Sequence, residues 1–271
     1  VKEVLYDEVQ KKAIGVVVID AITKLETKYY AKIIFLNASA IASAAILLNS
    51  VSDTFPNGLG NSSLQIGHNL MDHIVNEGTY GTFDELKDSY YEGRSPGTFY
   101  VPRFQNLNTA TENTEFLRGY GIQGKGEREN WQSVNPVGFG SSLKEQLATP
   151  GKWQISLGGR GETLPDYNNK ITLDHTNLDQ WGLPIIKVDF KYGENELAMM
   201  KHMTKASEEM LTKAGFKNVG SYNNYPAPGS AVHEMGTARM GHDPKTSVLN
   251  KYNQMHDVKN VFITDGSFMT S

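Results

Sequence analysis

The sequence predicts an α+β protein built round a mainly antiparallel sheet of about six strands covered by helices. Three observations carry this. Between about His73 and Phe190, short β-branched and aromatic runs alternate with turn residues, with few helices between them. The clearest helical pattern, Glu194–Lys213, follows that stretch instead of alternating with its strands, as a parallel βαβ fold would require. The chain has 271 residues and 26 glycines, enough length for more than one core and many turns.

In chain order, Ile14–Ile19 is an apolar, β-branched strand ending at Asp20. Residues 21–26 form a turn, and Lys28–Leu36 resumes the strand pattern. Ala40–Leu48 packs Ala, Ile and Leu without Gly or Pro and reads as a short buried helix. The uncharged run Ile33–Ser52 approaches the length of a membrane span. Asn37, Ser39, Ser43, Asn49 and Ser50 interrupt it, so it is read as a buried strand and helix with no transmembrane segment. Phe55–Gly67 is a Gly/Asn/Ser loop. Strands follow at 74–79, 97–103, 116–123, 153–158, 170–173 and 184–190, with a short helix at 141–147 before Pro150. In Glu194–Lys213, the residues Leu197, Met200, Met203, Met210 and Leu211 share a face that reads as core, and Gly215 is the stop. After the loop Tyr222–Gly229, the last strand spans 260–264 and leads into Asp265-Gly266-Ser267.

Composition excludes several functions. The absence of Cys removes disulfides, thiolate zinc sites and cysteine nucleophiles. Lys and Arg total 26 against 30 acidic residues, a net charge of −4 with no basic cluster, which argues against nucleic acid as a partner. His68 and His73, and likewise His233, His242 and His256, lack metal-ligand spacing, so no metal is expected. Val1–Asp20 is charged throughout, unlike a secretory signal; the chain reads as soluble, cytoplasmic or periplasmic. Ser141–Lys144, Ser221–Asn223 and Lys245–Ser247 mimic a serine acyl-enzyme set. That nucleophile needs a long buried helix, which the stop at Pro150 forbids. Gly119–Gly126 has dinucleotide-turn spacing but no apolar helix after it, and reads as a loop.

The informative segment is HEMGTARMG at 233–241. It is followed by ITDGS at 263–267 and preceded by ASAIASAAILLNS and GLGNSSLQIGHNLMDH. In this order these segments resemble the glucose–methanol–choline (GMC) family of FAD-dependent oxidoreductases, nearest to its bacterial gluconate- or sugar-dehydrogenase-like members. Glu162–Pro165 and Lys170–Asp174, followed by Asp179–Pro184, are similar to the family's substrate-domain strands. The resemblance implies FAD as cofactor and a sugar, polyol or other alcohol as substrate. His233 would take the proton from the substrate hydroxyl. It also implies cofactor contacts from Asp265 and Gly266, and from Asn69 and His73 in the stretch, with Asp72, where the family's two domains meet the cofactor. On the residues alone, Asp72 and His73 could equally form a buried structural pair. Ser39 stands where the family usually has Gly, so a side chain there could crowd a dinucleotide.

The resemblance implies three parts: a partial FAD-binding domain at 1–72, a substrate-binding domain at 73–228, and a second partial FAD-binding piece at 229–271. The family's G-x-G-x-x-G turn and its second catalytic His or Asn fall outside these residues. The chain is therefore expected to be a fragment, inactive by itself. The alternative is a non-catalytic β-rich module that holds carbohydrate or a partner chain on Tyr90, Tyr91, Phe99, Tyr100, Phe104, Trp131 and Trp153.

Overall fold

A computed structural model describes residues 1–75, 77–85, 97–128, 137–148, 151–223 and 228–271. Tyr90, Tyr91, Trp131 and Pro150 lie outside these residues. The described fold is a mixed α/β structure with mostly antiparallel sheets and few helices. It divides into two compact units: Val1–His73 with Thr163–Lys191 and Ala231–Ser271, and Ile74–Glu162 with Tyr192–Ser230. Residues 163–191, which the sequence reading groups with the central segment, pack with the chain's two ends.

In the first unit, β1 (Glu3–Asp7), β2 (Lys12–Ile19) and β3 (Glu26–Tyr30) form an antiparallel sheet. Ala13 and Val17 are buried on one face of β2, as strand alternation dictates. Asp20 builds the next turn, its carboxylate accepting from the N–H groups of Ile22 and Thr23. Those bonds hold the Asp20 carboxyl below its ordinary range. The single strand expected over 28–36 is two. After β3, the chain restarts as β4 (Ile34–Leu36), which pairs in parallel with β12 (Val261–Ile263). α1 (Ala40–Asn49) follows, burying Ala40, Ser43, Ala44, Ile46 and Leu47. No helix among the described residues is long and apolar enough to cross a membrane. The core joins Leu36 and Leu47 to Leu59, Ile66, Ile171, Val261 and Ile263, beside the hairpin β9 (Lys170–Leu178) and β10 (Pro184–Asp189).

In the second unit, five antiparallel strands run in the order β11-β5-β8-β7-β6. They are β5 (Glu77–Phe83), β6 (Thr98–Val101), β7 (Tyr120–Arg128), β8 (Trp153–Gly161) and β11 (Lys217–Asn223). Of the six strands expected in one sheet, the two at 170–173 and 184–190 form a separate hairpin and β11 joins the other four, so five strands make up this sheet among the described residues. Gly119–Gly126, expected as a loop, lies mostly within β7. Its glycines admit aromatic rings, since a Cβ at Gly124 would fall 2.0 Å from the Phe99 ring. α2 (Ser141–Ala148) buries no residue and cannot house the serine nucleophile that Ser141–Lys144 mimics.

α3 (Glu194–Lys213) has the expected bounds, and Glu196 reaches back to accept the Gly193 N–H at 2.8 Å. Its buried face is Glu196, Met199, Met200, Met203, Ser207 and Leu211, at helical spacing. Leu197, expected in the core, is 46% exposed because it sits one residue off that stripe. Gly159 and Gly161 bring the helix close: a Cβ at either would fall within 2.5 Å of Met203.

His202 of α3 lies 2.7 Å from the Tyr120 hydroxyl through Nδ1, beside Phe116. Burial lowers the His202 pKa, outweighing Glu115 and Glu209. The unfolded chain thus binds this proton more readily. The His202 contribution is complete above the ordinary imidazole range of about 6.5 and declines as pH falls through it. The thermal midpoint of the native protein is expected to drop between about pH 7 and 5. His202→Gln should drop less steeply, as followed by circular dichroism.

Candidate functional site

The site is built from three segments of the first unit. The stretch Gly67–His73 runs alongside 235–237. Gly67 N–H donates to Thr237 O, and Met71 and Met235 exchange both backbone bonds at 2.9 and 3.0 Å. Gly236 must be glycine: its φ is +91°, and a Cβ there would lie 2.3 Å from Asn69 O. The next residues continue onto the third segment, with Gly236, Ala238 and Met240 N–H groups donating to the carbonyls of Gly266, Ser267 and Phe268.

Asp72 organises this assembly and is 1% exposed. One carboxylate oxygen accepts from the N–H groups of His73 (2.8 Å) and His233 (3.1 Å). The other accepts from Ala231 N–H at 2.8 Å. The Thr163 hydroxyl donates to Asp72 O at 2.7 Å and accepts from its N–H at 3.3 Å. Between the two gripped residues, Val232 is forced to φ 58°, a conformation that β-branched residues avoid, at a cost on the order of 1–3 kcal/mol. The carboxylate grip stabilises that strained turn and turns His233 outward. The His233 side chain is exposed, and its ring meets the His73 ring edge-on with centroids 5.1 Å apart and planes at 87°.

Asp265 and Gly266 lie where β12 ends. Asp265 accepts from the Ser43 hydroxyl of α1 through one oxygen and from the Ser267 N–H and hydroxyl through the other. A Cβ on Gly266 would meet Glu234 O at 2.6 Å, so its bareness lets the His233 segment pack there. β4 and β12 are parallel and end together, at the turn 37–39 and at Thr264–Gly266. Asn37 bridges the two ends by accepting from Thr264 N–H and hydroxyl. Ser39 adopts φ 85°, and its hydroxyl caps α1 by accepting from Ala42 N–H. The carboxyl edge of parallel strands beside a helix start is where open α/β sheets take ligands.

The structure thus gathers His73, His233, Asp265 and Gly266 in one unit. Asn69 is directed elsewhere: it is buried with φ 58°, and its amide donates to Gln65 at 3.0 Å. Asp72 proves to be the anchor of the loop 231–233. The sequence places Asp72 in the stretch where the family's domains meet the cofactor or in a pair with His73, and its anchoring role is not legible there, since the partners Ala231 and His233 lie 159 and 161 residues away. Among the described residues, no group of three or more His, Cys, Asp or Glu side chains could hold a metal ion.

Residues 165–271 match the family model described as GMC oxidoreductase. That stretch is similar to the C-terminal domain of GMC oxidoreductases. A 2-methyl-1,2-propanediol dehydrogenase of Mycolicibacterium austroafricanum is 31% identical, over 96% of this chain and 47% of that protein. The fructose dehydrogenase large subunit of Gluconobacter japonicus is 26% identical, over 92% of this chain and 44% of the relative. The chain spans about half the length of the curated GMC relatives it matches. Among solved structures, an Aspergillus oryzae formate oxidase superimposes with a TM-score of 0.62 at 15% identity, over 99% of this chain and 55% of the other. Pyridoxine 4-oxidase from Mesorbium loti gives 0.57 at 18% identity, over 99% and 52%. At these identities the likeness is one of fold.

Proposed function

We propose that this chain is part of an oxidoreductase that converts a CH–OH group of a sugar, polyol or other alcohol to a carbonyl. FAD is the cofactor and His233 the proton acceptor. The observation that carries this reading is the exposed His233 imidazole, held through its backbone by the buried Asp72 carboxylate, on the segment packed against Asp265–Phe268. The family match and the dehydrogenase relatives support it.

The residues present fit one side of such a cofactor. Gly236 and Gly266 hold two segments at backbone contact distance, and the parallel strand ends of β4 and β12 open beside α1. Those strand ends, with Asp265 and Gly266, would frame the cofactor. FAD, when bound, supplies the acceptor for the hydride from the carbinol carbon. The chain's own part is proton handling and positioning. The hydroxyl proton passes to a neutral His233 ring nitrogen, which makes the C–H bond a better hydride donor. His73, edge-on at 5.1 Å, limits the orientations the His233 ring can take. Asp72 fixes the loop without touching substrate.

The test uses the full-length polypeptide. It is expected to purify with a flavin absorbance band that bleaches when a polyol or simple alcohol is added without oxygen. A full-length protein that takes up no flavin when FAD is supplied would overturn the reading.

A further inference from the structure

The five-stranded sheet has a second face. α3 covers the side of β8 that carries Leu157, Gly159 and Gly161, so Ser156, Gly158 and Arg160 point the other way. On that open side the strand register aligns Tyr222, Gly78, Gly158, Gln123 and Tyr100 in one row across all five strands. Arg160 sits opposite Gly121 in an adjacent row. The glycines clear a floor, and the two edge tyrosines lean over it. A Cβ on Gly78 would fall 2.4 Å from the Tyr222 hydroxyl, and one on Gly121 would fall 2.0 Å from that of Tyr100. The result is a trough of about 640 Å³, also lined by Lys125 and Ser156. Small-molecule sites typically occupy about 300–1,000 Å³.

Its charge is unbalanced at one point. Lys125 pairs with Glu127. The Arg160 guanidinium donates to Gly159 O at 3.0 Å, and no carboxylate among the described residues lies within 4.0 Å of it. A half-buried guanidinium with donors left over matches the two oxygens of one carboxylate. Around it stand two phenols, the Gln123 amide and the Ser156 hydroxyl, which can exchange hydrogen bonds with hydroxyl groups. The tyrosine rings offer faces to C–H surfaces.

We propose that this trough binds a polyhydroxy carboxylate of the aldonate class, with Arg160 taking the carboxylate and Tyr222, Tyr100 and Gln123 the hydroxyls. Calling this ligand the substrate rests on the oxidation proposed above; its binding does not.

The probes are D-gluconate and sorbitol, which differ only in carboxylate against CH2OH, titrated calorimetrically into the full chain. Gluconate is expected to bind at least about tenfold more tightly, a difference near the lower end for a charge-assisted hydrogen bond. R160Q should abolish the preference and R160K keep part of it. Gly158→Ala adds a methyl group 3.3 Å from the Tyr222 hydroxyl and 3.4 Å from Arg160 Nη1, both ends of flexible side chains. It should keep the native melting curve and weaken both probes. Equal affinities in the native protein, or a preference that survives in folded R160Q, would overturn the site. If R160Q fails to fold, unchanged gluconate binding by Gly158→Ala overturns it and weakened binding supports it. The titration needs neither flavin nor turnover. A gluconate preference in a protein that never binds flavin sinks the proposed oxidation alone, and a working flavoenzyme with no Arg160-dependent preference sinks this site alone.

Discussion

Asp72→Ala is expected to destabilise the first unit by about 3–5 kcal/mol. The substitution strands three backbone donors, those of Ala231, His73 and His233, in a setting where the wild-type carboxylate satisfies all three. A hydrogen bond to a charged group contributes about 1.5–3 kcal/mol, and a buried donor left unpaired costs about 1–3 kcal/mol. Part of the loss is recovered, because Val232 no longer has to hold φ 58° once its neighbours are released, returning about 1 kcal/mol or slightly more. Asp72→Asn keeps the shape and one acceptor oxygen. It should fall between the native protein and the alanine variant, because its amide nitrogen then faces an N–H donor. Urea denaturation monitored by circular dichroism measures the effect. A change below about 1 kcal/mol for the alanine variant would mean that the loop 231–233 is held by something other than this carboxylate.

The same arrangement explains what a linear reading can and cannot recover. β2, α1 and α3 announce themselves because their signal is local: an apolar, β-branched run, an Ala/Ile/Leu-rich run without Gly or Pro, methionines at helical spacing with Gly215 behind them. β1 and β11 do not. EVLYD and KNVGSYN carry little apolar pattern and become strands because β2 and β5 offer them edges to pair with. β7 is legible only at its start, as the strand expected over 116–123; its later glycines look like a loop until the rings of Phe99 and Tyr100 occupy the space they leave. The hairpin β9–β10 is legible as two strands, but nothing in 170–190 says that it packs with the chain's ends. At the site, the H-x-x-G-T pattern marks His233 through family resemblance. The Asp72 grip and the strain at Val232 are tertiary facts, made by partners more than 150 residues apart. Asp265 and Gly266 stand out by motif, yet their contacts here are internal, to Ser43, Ser267 and Glu234. The open trough is equally illegible, because the row from Tyr222 to Tyr100 exists only in the register of five strands.

His233→Gln should separate chemistry from folding. The loop is anchored by the His233 N–H, which glutamine retains, while the ring is exposed and touches His73 edge-on. Stability is therefore expected to stay within about 0.5 kcal/mol of the native protein. In the full-length flavoprotein, the rate of flavin reduction by alcohol is expected to fall by about 10²–10⁴-fold, the usual contribution of a positioned general base. Flavin content should be unchanged, and free imidazole in the buffer should restore part of the rate, because the missing function is a proton acceptor and not a contact. His73→Gln serves as the comparison. Losing a ring that only restrains its neighbour should cost far less rate and show no imidazole rescue. A His233→Gln enzyme that reduces its flavin within about tenfold of the native rate would assign proton removal to another group. If His73→Gln instead gave the larger loss with rescue, the acceptor would be the other member of this edge-on pair.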